Sequence, residues 1–239
     1  MKKIGLIGGL SPESTGHYYE IICREYNQKF GQLNFPEMTI ESLNLQTLVR
    51  LFEVNDWGSV GKVLLNALDR LQKAGADFAA ILANTPHNAY ELIRDKSPLP
   101  VVTIMDATAA ALVSDNRKRV GLLGTRATME YGFFQKHFKS RTIETVVPNE
   151  SHRNELDRII WEELSHGMIE PESRAVAQVM IGDLAKEGAE AIVLGCTELC
   201  LLIQPEDSPR PLYDTTRLHA EAILAFALDT AGGTRNGPN

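Results

Sequence analysis

Cys196 is the side chain whose type and position best suit nucleophilic or proton-transfer chemistry. It follows the apolar run Val193-Leu194-Gly195 and precedes Thr197 and Glu198, a pattern that predicts a strand end just before a helix. The positive amino end of a helix favours the thiolate, the reactive form of cysteine. A buried and inert cysteine is the alternative interpretation, and the internal duplication described below favours function.

The other two cysteines carry weaker signals. Cys200 is four residues further along the predicted helix and Cys23 is on the apolar face of the first long helix, so both are expected to pack in the interior. The three cysteines include no C-x-x-C pair, and no histidines follow at zinc-finger spacing. We therefore predict neither structural disulfides nor a metal site.

A glycine-rich loop, GGLSPE at positions 8–13, joins the first predicted strand to the first helix. Ser11 is the expected N-cap, with Pro12 at the first helical position. The amides of such a loop suit a carboxylate or a phosphate, and a tight turn that needs glycine only for its conformation is an equal alternative. The spacing differs from G-x-G-x-x-G, so a dinucleotide site is not expected. Residues 124–128 occupy the equivalent place in the second half.

The chain repeats itself in three places and in the same order. The segment 2–8 (KKIGLIG) matches 118–124 (KRVGLLG), and 71–77 (LQKAGAD) matches 184–190 (LAKEGAE). Further along each half, a proline-flanked strand ends in aspartate and leads into an alanine-rich helix. Three matches in register indicate a duplicated unit, which fixes the architecture.

The second match has a constant offset of 113 positions, which pairs Ala83 with Cys196. The loops ANTPH and GCTEL would then lie at equivalent edges, because parallel sheets bind ligands just beyond the carboxyl ends of their strands. We therefore expect residues 83 and 196 to flank one bound molecule. The polar side chains of these loops could contact the ligand, orient groups or tune the thiol: Asn84, Thr85, His87 and Glu198.

Short runs rich in Ile, Val and Leu alternate with longer amphipathic segments, a pattern that predicts an α/β protein with parallel strands buried under helices. The predicted strands are 3–7, 37–43, 78–82, 100–105, 119–123, 142–147, 191–194 and 211–214. The clearest predicted helices are 11–30, 60–74, 107–113, 155–166, 173–187 and 216–229. The duplication predicts two pseudo-symmetric lobes, residues 1–105 with 215–239 and residues 106–214, with the site in the cleft between them. The terminal segment 231–239 has no apolar periodicity and is expected to be a frayed tail.

The net charge and the apolar runs indicate which kinds of binding partner to expect. A formal net charge of −7 and the absence of long basic runs argue against a nucleic-acid partner, so a small-molecule substrate is expected. The first apolar run breaks at Gly8-Gly9, too early for a signal peptide. No apolar stretch approaches the roughly 18 residues of a membrane helix, so we expect a soluble cytoplasmic protein without a membrane partner.

Together, GGLSPEST, ANTPH, GTRATME and LGCTEL resemble the aspartate/glutamate racemase superfamily, in particular its amino-acid racemase branch, and the resemblance spans nearly the whole chain. It implies two pseudo-symmetric α/β lobes, no cofactor, a homodimer, and two opposed cysteines that transfer protons, of which Cys196 is the second. It also implies that the substrate carboxylate or amine is bound by Gly9, Leu10, Asn84, Thr85, Thr125 and Thr197. Neighbouring positions join the candidate substrate-binding set: Ser11, Thr128, Glu198, Arg50 and His87.

The chain departs from this family pattern at Ala83, where relatives carry cysteine or threonine. A two-base racemase needs a proton-transfer group on each face of the α-carbon, and alanine cannot move a proton. Thr85, or a water molecule in the space left by the missing side chain, could serve that face. Aspartate-strict relatives also carry a lysine near the position of Ser165. Arg50 could supply a cation from the loop after the second strand, and a solvated helix residue is an equal alternative for it.

Three hypotheses follow. The leading one is an amino-acid racemase, acting on aspartate, glutamate or a broader range, in which Cys196 exchanges the α-proton and Ala83 leaves the reaction one-sided or impaired. The second is a single-cysteine decarboxylase or cis/trans isomerase of the same superfamily, where only one face needs protonation or attack. The third is a catalytically silent protein that binds a dicarboxylate.

Overall fold

The computed structural model describes residues 1–229, which form two parallel four-stranded sheets flanked by helices. The strands are β1 (Ile4–Gly8), β2 (Met38–Ser42), β3 (Phe78–Ile81), β4 (Val101–Val102), β5 (Arg119–Leu123), β6 (Glu144–Val146), β7 (Ala191–Leu194) and β8 (Leu212–Asp214). The helices are α1 (Pro12–Phe30), α2 (Leu45–Glu53), α3 (Trp57–Lys73), α4 (Tyr90–Ile93), α5 (Ile104–Ser114), α6 (Arg126–Glu130), α7 (Phe133–Lys139), α8 (Glu150–Arg158), α9 (Pro171–Lys186), α10 (Leu199–Leu202) and α11 (Thr215–Leu228). Short 3₁₀ turns cover Thr85–Ala89, Arg94–Lys96, Leu164–His166 and Pro205–Asp207, and a π-helical turn covers Ile159–Glu163.

The two sheets share one topology. The strand order is β2-β1-β3-β4 in the first and β6-β5-β7-β8 in the second, and every neighbouring pair is parallel. In each sheet the chain reverses its winding direction between the first and third strands, which is where open α/β sheets bind ligands. The predicted α/β fold of two pseudo-symmetric lobes is therefore confirmed.

The duplication is visible in matched details. Strand β7 begins and ends 113 positions after β3, as the sequence match predicts. Helices α3 and α9, which precede these strands, are each followed by a glycine with a left-handed backbone, Gly75 at φ 83° and Gly188 at φ 91°. A residue with a side chain rarely adopts this conformation, so both glycines are required to end the helix and turn the chain into the next strand.

Each sheet is buried on both faces. In the first lobe, one face packs under α2 and α3 and the other under α1 and α11. In the second, one face packs under α8 and α9 and the other under α5 and α7. Helix α5 follows the first sheet but covers the second, and α11 follows the second sheet but covers the first. The two lobes therefore exchange one helix each, which ties them together.

All eight predicted strands form, with differences at their ends. The strand predicted at 100–105 is only two residues long, because Thr103 caps the amino end of α5, its side chain accepting a hydrogen bond from the Asp106 amide. The predicted helix 155–166 is interrupted by the π-helical turn. The predicted tail, 231–239, lies outside the described residues. No helix within residues 1–229 combines the length and the hydropathy needed to cross a bilayer.

Candidate active site

The carboxyl ends of β1 and β3 face those of β5 and β7 around one cavity. Ala83, just after β3, and Cys196, just after β7, both line it. The two positions paired by the duplication thus line the same cavity. The lining residues are Leu10, Leu45, Phe52, Ala83, Asn84, Thr85, Pro86, Thr125, Ile160, Trp161, Ser165, Gly195, Cys196, Thr197 and Glu198.

The Cys196 thiol is hydrogen-bonded to a buried carboxyl group. Its Sγ donates to Oε2 of Glu198 at 3.0 Å, and the Thr197 hydroxyl donates to the same oxygen at 2.7 Å. The other oxygen, Oε1, accepts a hydrogen bond at 2.6 Å from the hydroxyl of Ser11 in the first lobe. Glu198 therefore gathers the thiol and two hydroxyls, and the contact with Ser11 joins the two lobes next to Cys196.

This environment favours the thiol over the thiolate. Burial raises the pKa of Cys196 well above its ordinary value, and the adjacent Glu198 carboxylate raises it further. The following helix, α10, has only four residues and contributes little dipole. The prediction that the helix start favours the Cys196 thiolate is therefore wrong, because desolvation and a neighbouring negative charge dominate. Cys196 is held as a proton donor with an acceptor in contact.

Hydroxyl and amide groups of both lobes meet across the cavity. Thr85 and Thr125 are joined through their hydroxyl oxygens at 3.1 Å. The Asn84 amide nitrogen donates to the Thr215 hydroxyl at 3.3 Å, whereas its buried oxygen, Oδ1, has no hydrogen-bond partner among the described residues. A buried acceptor without a donor is costly, so a ligand N–H at this point would be favourable. The set can accept from an ammonium group and donate to a carboxylate.

His87 lies behind the cavity wall and fixes the backbone of Ala83. Its Nδ1 donates to the Ala83 carbonyl at 2.8 Å, and its Nε2 accepts from the Ile104 amide at 3.3 Å. These partners define a neutral imidazole with the proton on Nδ1. Burial lowers the pKa of His87 to about 4, in agreement with that state. His87 orients the Ala83 loop and does not line the cavity.

Other predicted binding residues also lie outside the cavity lining. Ser11 reaches the site only through Glu198, and Thr128 is buried behind Thr125, with their hydroxyl oxygens 3.2 Å apart. Gly9 lines a neighbouring recess that shares Leu45 with the cavity. Arg50 is exposed in the last turn of α2, which agrees with the alternative of a solvated helix residue and not with a place in the loop after β2.

The apolar wall of the cavity was not found from the sequence. Leu45 and Phe52 come from α2, which the sequence pattern did not single out, and Ile160 and Trp161 come from the π-helical turn. Such turns insert an extra residue into a helix and recur at functional sites, because they redirect side chains. Ser165, which the sequence analysis named only as the place of a missing lysine, lines the cavity as well.

The charged lining of the cavity is acidic. Among residues 1–229, Glu198 is the single charged side chain that lines the cavity, and the lining includes no lysine or arginine. A second ligand carboxylate would therefore meet apolar walls and hydroxyl groups without a counter-ion, and burying such a charge is unfavourable.

Comparisons with known proteins agree with this architecture. Residues 7–223 match the Asp/Glu/hydantoin racemase family model. The chain is 23% identical over 232 residues to the broad specificity amino-acid racemase RacX of Bacillus subtilis (strain 168), covering 94% of this chain and 98% of that protein. A crystal structure of a Yersinia pestis protein assigned as an Asp/Glu racemase is 36% identical, with a TM-score of 0.89 over 95% of this chain and 100% of that one. An aspartate racemase homologue from Pyrococcus horikoshii OT3 is also 36% identical, with a TM-score of 0.82 over 95% and 99% of the two chains. The chain belongs to the Asp/Glu/hydantoin racemase family.

Proposed function

We propose that this protein is a cofactor-independent amino-acid racemase that exchanges the α-proton of substrates with uncharged side chains. The observation that carries the proposal is the Cys196 thiol, hydrogen-bonded to Glu198 in a cavity whose other polar groups suit a carboxylate and an amine. Family membership supports racemase chemistry at this place.

The backbone groups of the amino acid are held by the hydroxyl and amide set. The hydroxyl pair of Thr85 and Thr125 supplies a donor to the substrate carboxylate, and Oδ1 of Asn84 accepts from its ammonium group. This leaves the α-carbon between the ends of β3 and β7, within reach of Cys196. Fixing both ends of the amino acid orients its C–H bond toward the sulfur.

Proton transfer begins with Glu198 taking the proton of the Cys196 thiol. The thiolate then removes the α-hydrogen, and the electron pair left on carbon is delocalised into the substrate carboxylate. Return of a proton to the opposite face gives the other enantiomer, while its return from Cys196 restores the starting one. Removal of the α-hydrogen returns Cys196 to the thiol, the form that its surroundings favour. The same thiol can then donate a proton back to the carbanion.

The opposite face has no ionisable group in the position of Ala83. A water molecule held near Thr85 and Ala83 would supply the proton there, and the hydroxide it leaves is neutralised by the proton that Glu198 then releases, which restores the resting state. Because water donates less efficiently than a positioned acid, we expect isotope exchange through Cys196 to outpace full inversion.

The substrate side chain is uncharged in this proposal. Leu45, Phe52, Ile160 and Trp161 form an apolar wall, and the lining has no cation to pair with a second carboxylate. The similarity to a relative described as a broad specificity amino-acid racemase supports the same conclusion. We therefore place neutral aliphatic and aromatic amino acids ahead of aspartate and glutamate.

Isotope exchange tests the proposal directly. The protein is incubated in heavy water with both enantiomers of leucine, phenylalanine, aspartate and glutamate, and α-deuterium is followed by proton NMR. We expect incorporation into the neutral amino acids, and none with Cys196→Ser. A folded protein that labels none of the eight compounds would refute the racemase proposal.

A single-cysteine decarboxylase is the second candidate, and the combination of Ala83 with a protonated Cys196 favours it. Loss of carbon dioxide from a malonate-type acid leaves a carbanion that needs only one proton donor, on one face. Carbon dioxide release from a 2-substituted malonate, with no exchange of amino-acid α-protons, would select this function instead.

A further inference from the structure

Three side chains with metal-binding atoms lie together outside the cavity. They are His17 on α1, Cys200 on α10 and Asp214 at the end of β8. One nitrogen of His17, the Cys200 sulfur and one Asp214 oxygen all lie within 4.8 Å of one another, and each residue is half-buried. From this geometry we propose a binding site for a divalent transition-metal ion, with Zn²⁺ as the best-matched ion, that joins the two lobes.

The donor set matches zinc chemistry. Thiolate sulfur, imidazole nitrogen and carboxylate oxygen are the three ligand types of zinc, at distances of about 2.0 to 2.3 Å, and sites with three protein ligands keep a fourth position for water. Ligand atoms around one tetrahedral zinc ion are about 3.3 to 3.8 Å apart by this geometry. The three atoms lie within 4.8 Å of one another, so small side-chain adjustments on metal binding would bring them to these separations. Magnesium and calcium, which prefer oxygen ligands, fit poorly.

The three groups are available for a metal. Neither ring nitrogen of His17 bonds to another residue within the described part of the chain. Asp214 uses Oδ1 to cap α11, accepting from the Thr216 amide at 2.8 Å. Cys200 donates from Sγ to the Thr197 carbonyl at 3.2 Å and is also hydrogen-bonded to the Asp214 carboxylate, so a metal ion would take the place of the thiol proton between these two groups.

The local electrostatics favour a cation. Burial raises the pKa of Cys200 to about 12, and the neighbouring Asp214 and Glu198 carboxylates add to the shift. A divalent ion reverses this penalty, because it pairs with the carboxylate and displaces the thiol proton to solvent as the S–metal bond forms. Binding therefore releases the proton of the Cys200 thiol to solvent.

The position of the site gives it a mechanical role. His17 belongs to a helix that packs on the first sheet, whereas Cys200 and Asp214 follow strands of the second. Cys200 is also one turn beyond the Cys196-to-Glu198 loop. A bound ion would clamp the lobes together and restrain that loop.

Cobalt(II) titration tests the site, because a cobalt–thiolate bond gives a near-ultraviolet charge-transfer band. We expect the band in the unmodified protein and in Cys196→Ala and Cys23→Ser, its loss in Cys200→Ser, and at least about tenfold weaker binding in His17→Gln. Zinc should displace the cobalt. The partly exposed position of His17 makes its variant the one that leaves folding intact, and far-ultraviolet circular dichroism checks both variants.

Thermal unfolding provides a second readout. Zinc binding to the native state raises the melting temperature, so the rise should be present in the unmodified protein and reduced in His17→Gln. Absence of the cobalt band, or a band that survives Cys200→Ser and disappears in Cys196→Ala, would overturn the assignment; the latter would place the metal on the Cys196–Glu198 pair.

Discussion

Ser11 and Glu198 are 187 positions apart in the chain, yet the Ser11 hydroxyl donates to Oε1 of Glu198 at 2.6 Å. Ser11 also caps the first turn of α1, where it accepts from the Ser14 amide at 3.0 Å. The Ser11 side chain thus caps the helix that follows the β1 loop, and it also positions the Glu198 carboxylate, which contacts Cys196 in the other lobe. Opening the cleft would break this contact, so the basic partner of Cys196 is fully positioned only when the lobes are closed.

Replacing Glu198 with glutamine should separate its two effects on Cys196. The variant keeps the shape but loses the negative charge, so the thiol pKa should fall, while proton exchange at the α-carbon should slow by about 10²- to 10⁴-fold because the proton acceptor is gone. The pH dependence of alkylation, measured with Cys23 and Cys200 both replaced by serine, reports the pKa. Glu206→Gln, at an exposed position, is the control. A slower reaction with an unchanged thiol pKa would argue that Glu198 only supports the fold.

Introducing a second cysteine at Ala83 should make the site symmetric. Ala83→Cys places a thiol at the position paired with Cys196, so inversion should rise toward the rate of isotope exchange, and the two enantiomers should exchange at more similar rates. Polarimetry and deuterium NMR on the same sample measure both. Ala83→Ser, similar in size but a much weaker acid, serves as the control. Equal inversion rates in Ala83→Cys, Ala83→Ser and the unmodified protein would contradict a role for this position in proton delivery.

The buried histidines should make the protein sensitive to acid. Burial lowers the pKa of His87 to about 4 and that of His219 to about 3, below the ordinary 6.5. Below pH 6.5 the histidines bind protons in the unfolded chain but not yet in the native state. Their contribution to the free energy of unfolding is therefore complete above pH 6.5 and is lost as the pH drops toward 4. Each histidine should cost about 2 kcal/mol at pH 5 relative to pH 7.

Urea unfolding at the two pH values measures this loss. His87→Gln should reduce the difference between pH 7 and pH 5, even though it destabilises the protein at pH 7 by removing the hydrogen bond to the Ala83 carbonyl. His166→Gln, at an exposed position, should leave the difference unchanged. An identical pH dependence in His87→Gln would show that His87 is not the titrating group.

The fold was predictable from short apolar runs and from the internal repeats of the sequence. The strands and the pairing of Ala83 with Cys196 follow from short segments and their repetition. The ionisation state of Cys196 could not be read this way, because it depends on burial and on a carboxylate held by the other lobe. Two residues of the apolar wall, Ile160 and Trp161, come from a π-helical turn, and no residue pattern predicts such a turn. The cluster of His17, Cys200 and Asp214 is likewise assembled only by the fold, since the three residues are widely separated in sequence.

Substrate choice should respond to a cation placed in the cavity. Ser165 lines the cavity, where its hydroxyl donates to the Ile160 carbonyl at 2.8 Å, and the lining lacks lysine and arginine. Ser165→Lys should therefore raise the efficiency of α-proton exchange for aspartate and glutamate relative to leucine, by about tenfold or more if the new charge pairs with the side-chain carboxylate, an interaction worth about 1.5 to 3 kcal/mol. His166→Lys adds the same group one residue away at an exposed position and should leave the ratio unchanged. If the unmodified protein already prefers aspartate, or if both lysine variants shift the ratio equally, the apolar wall does not set the specificity.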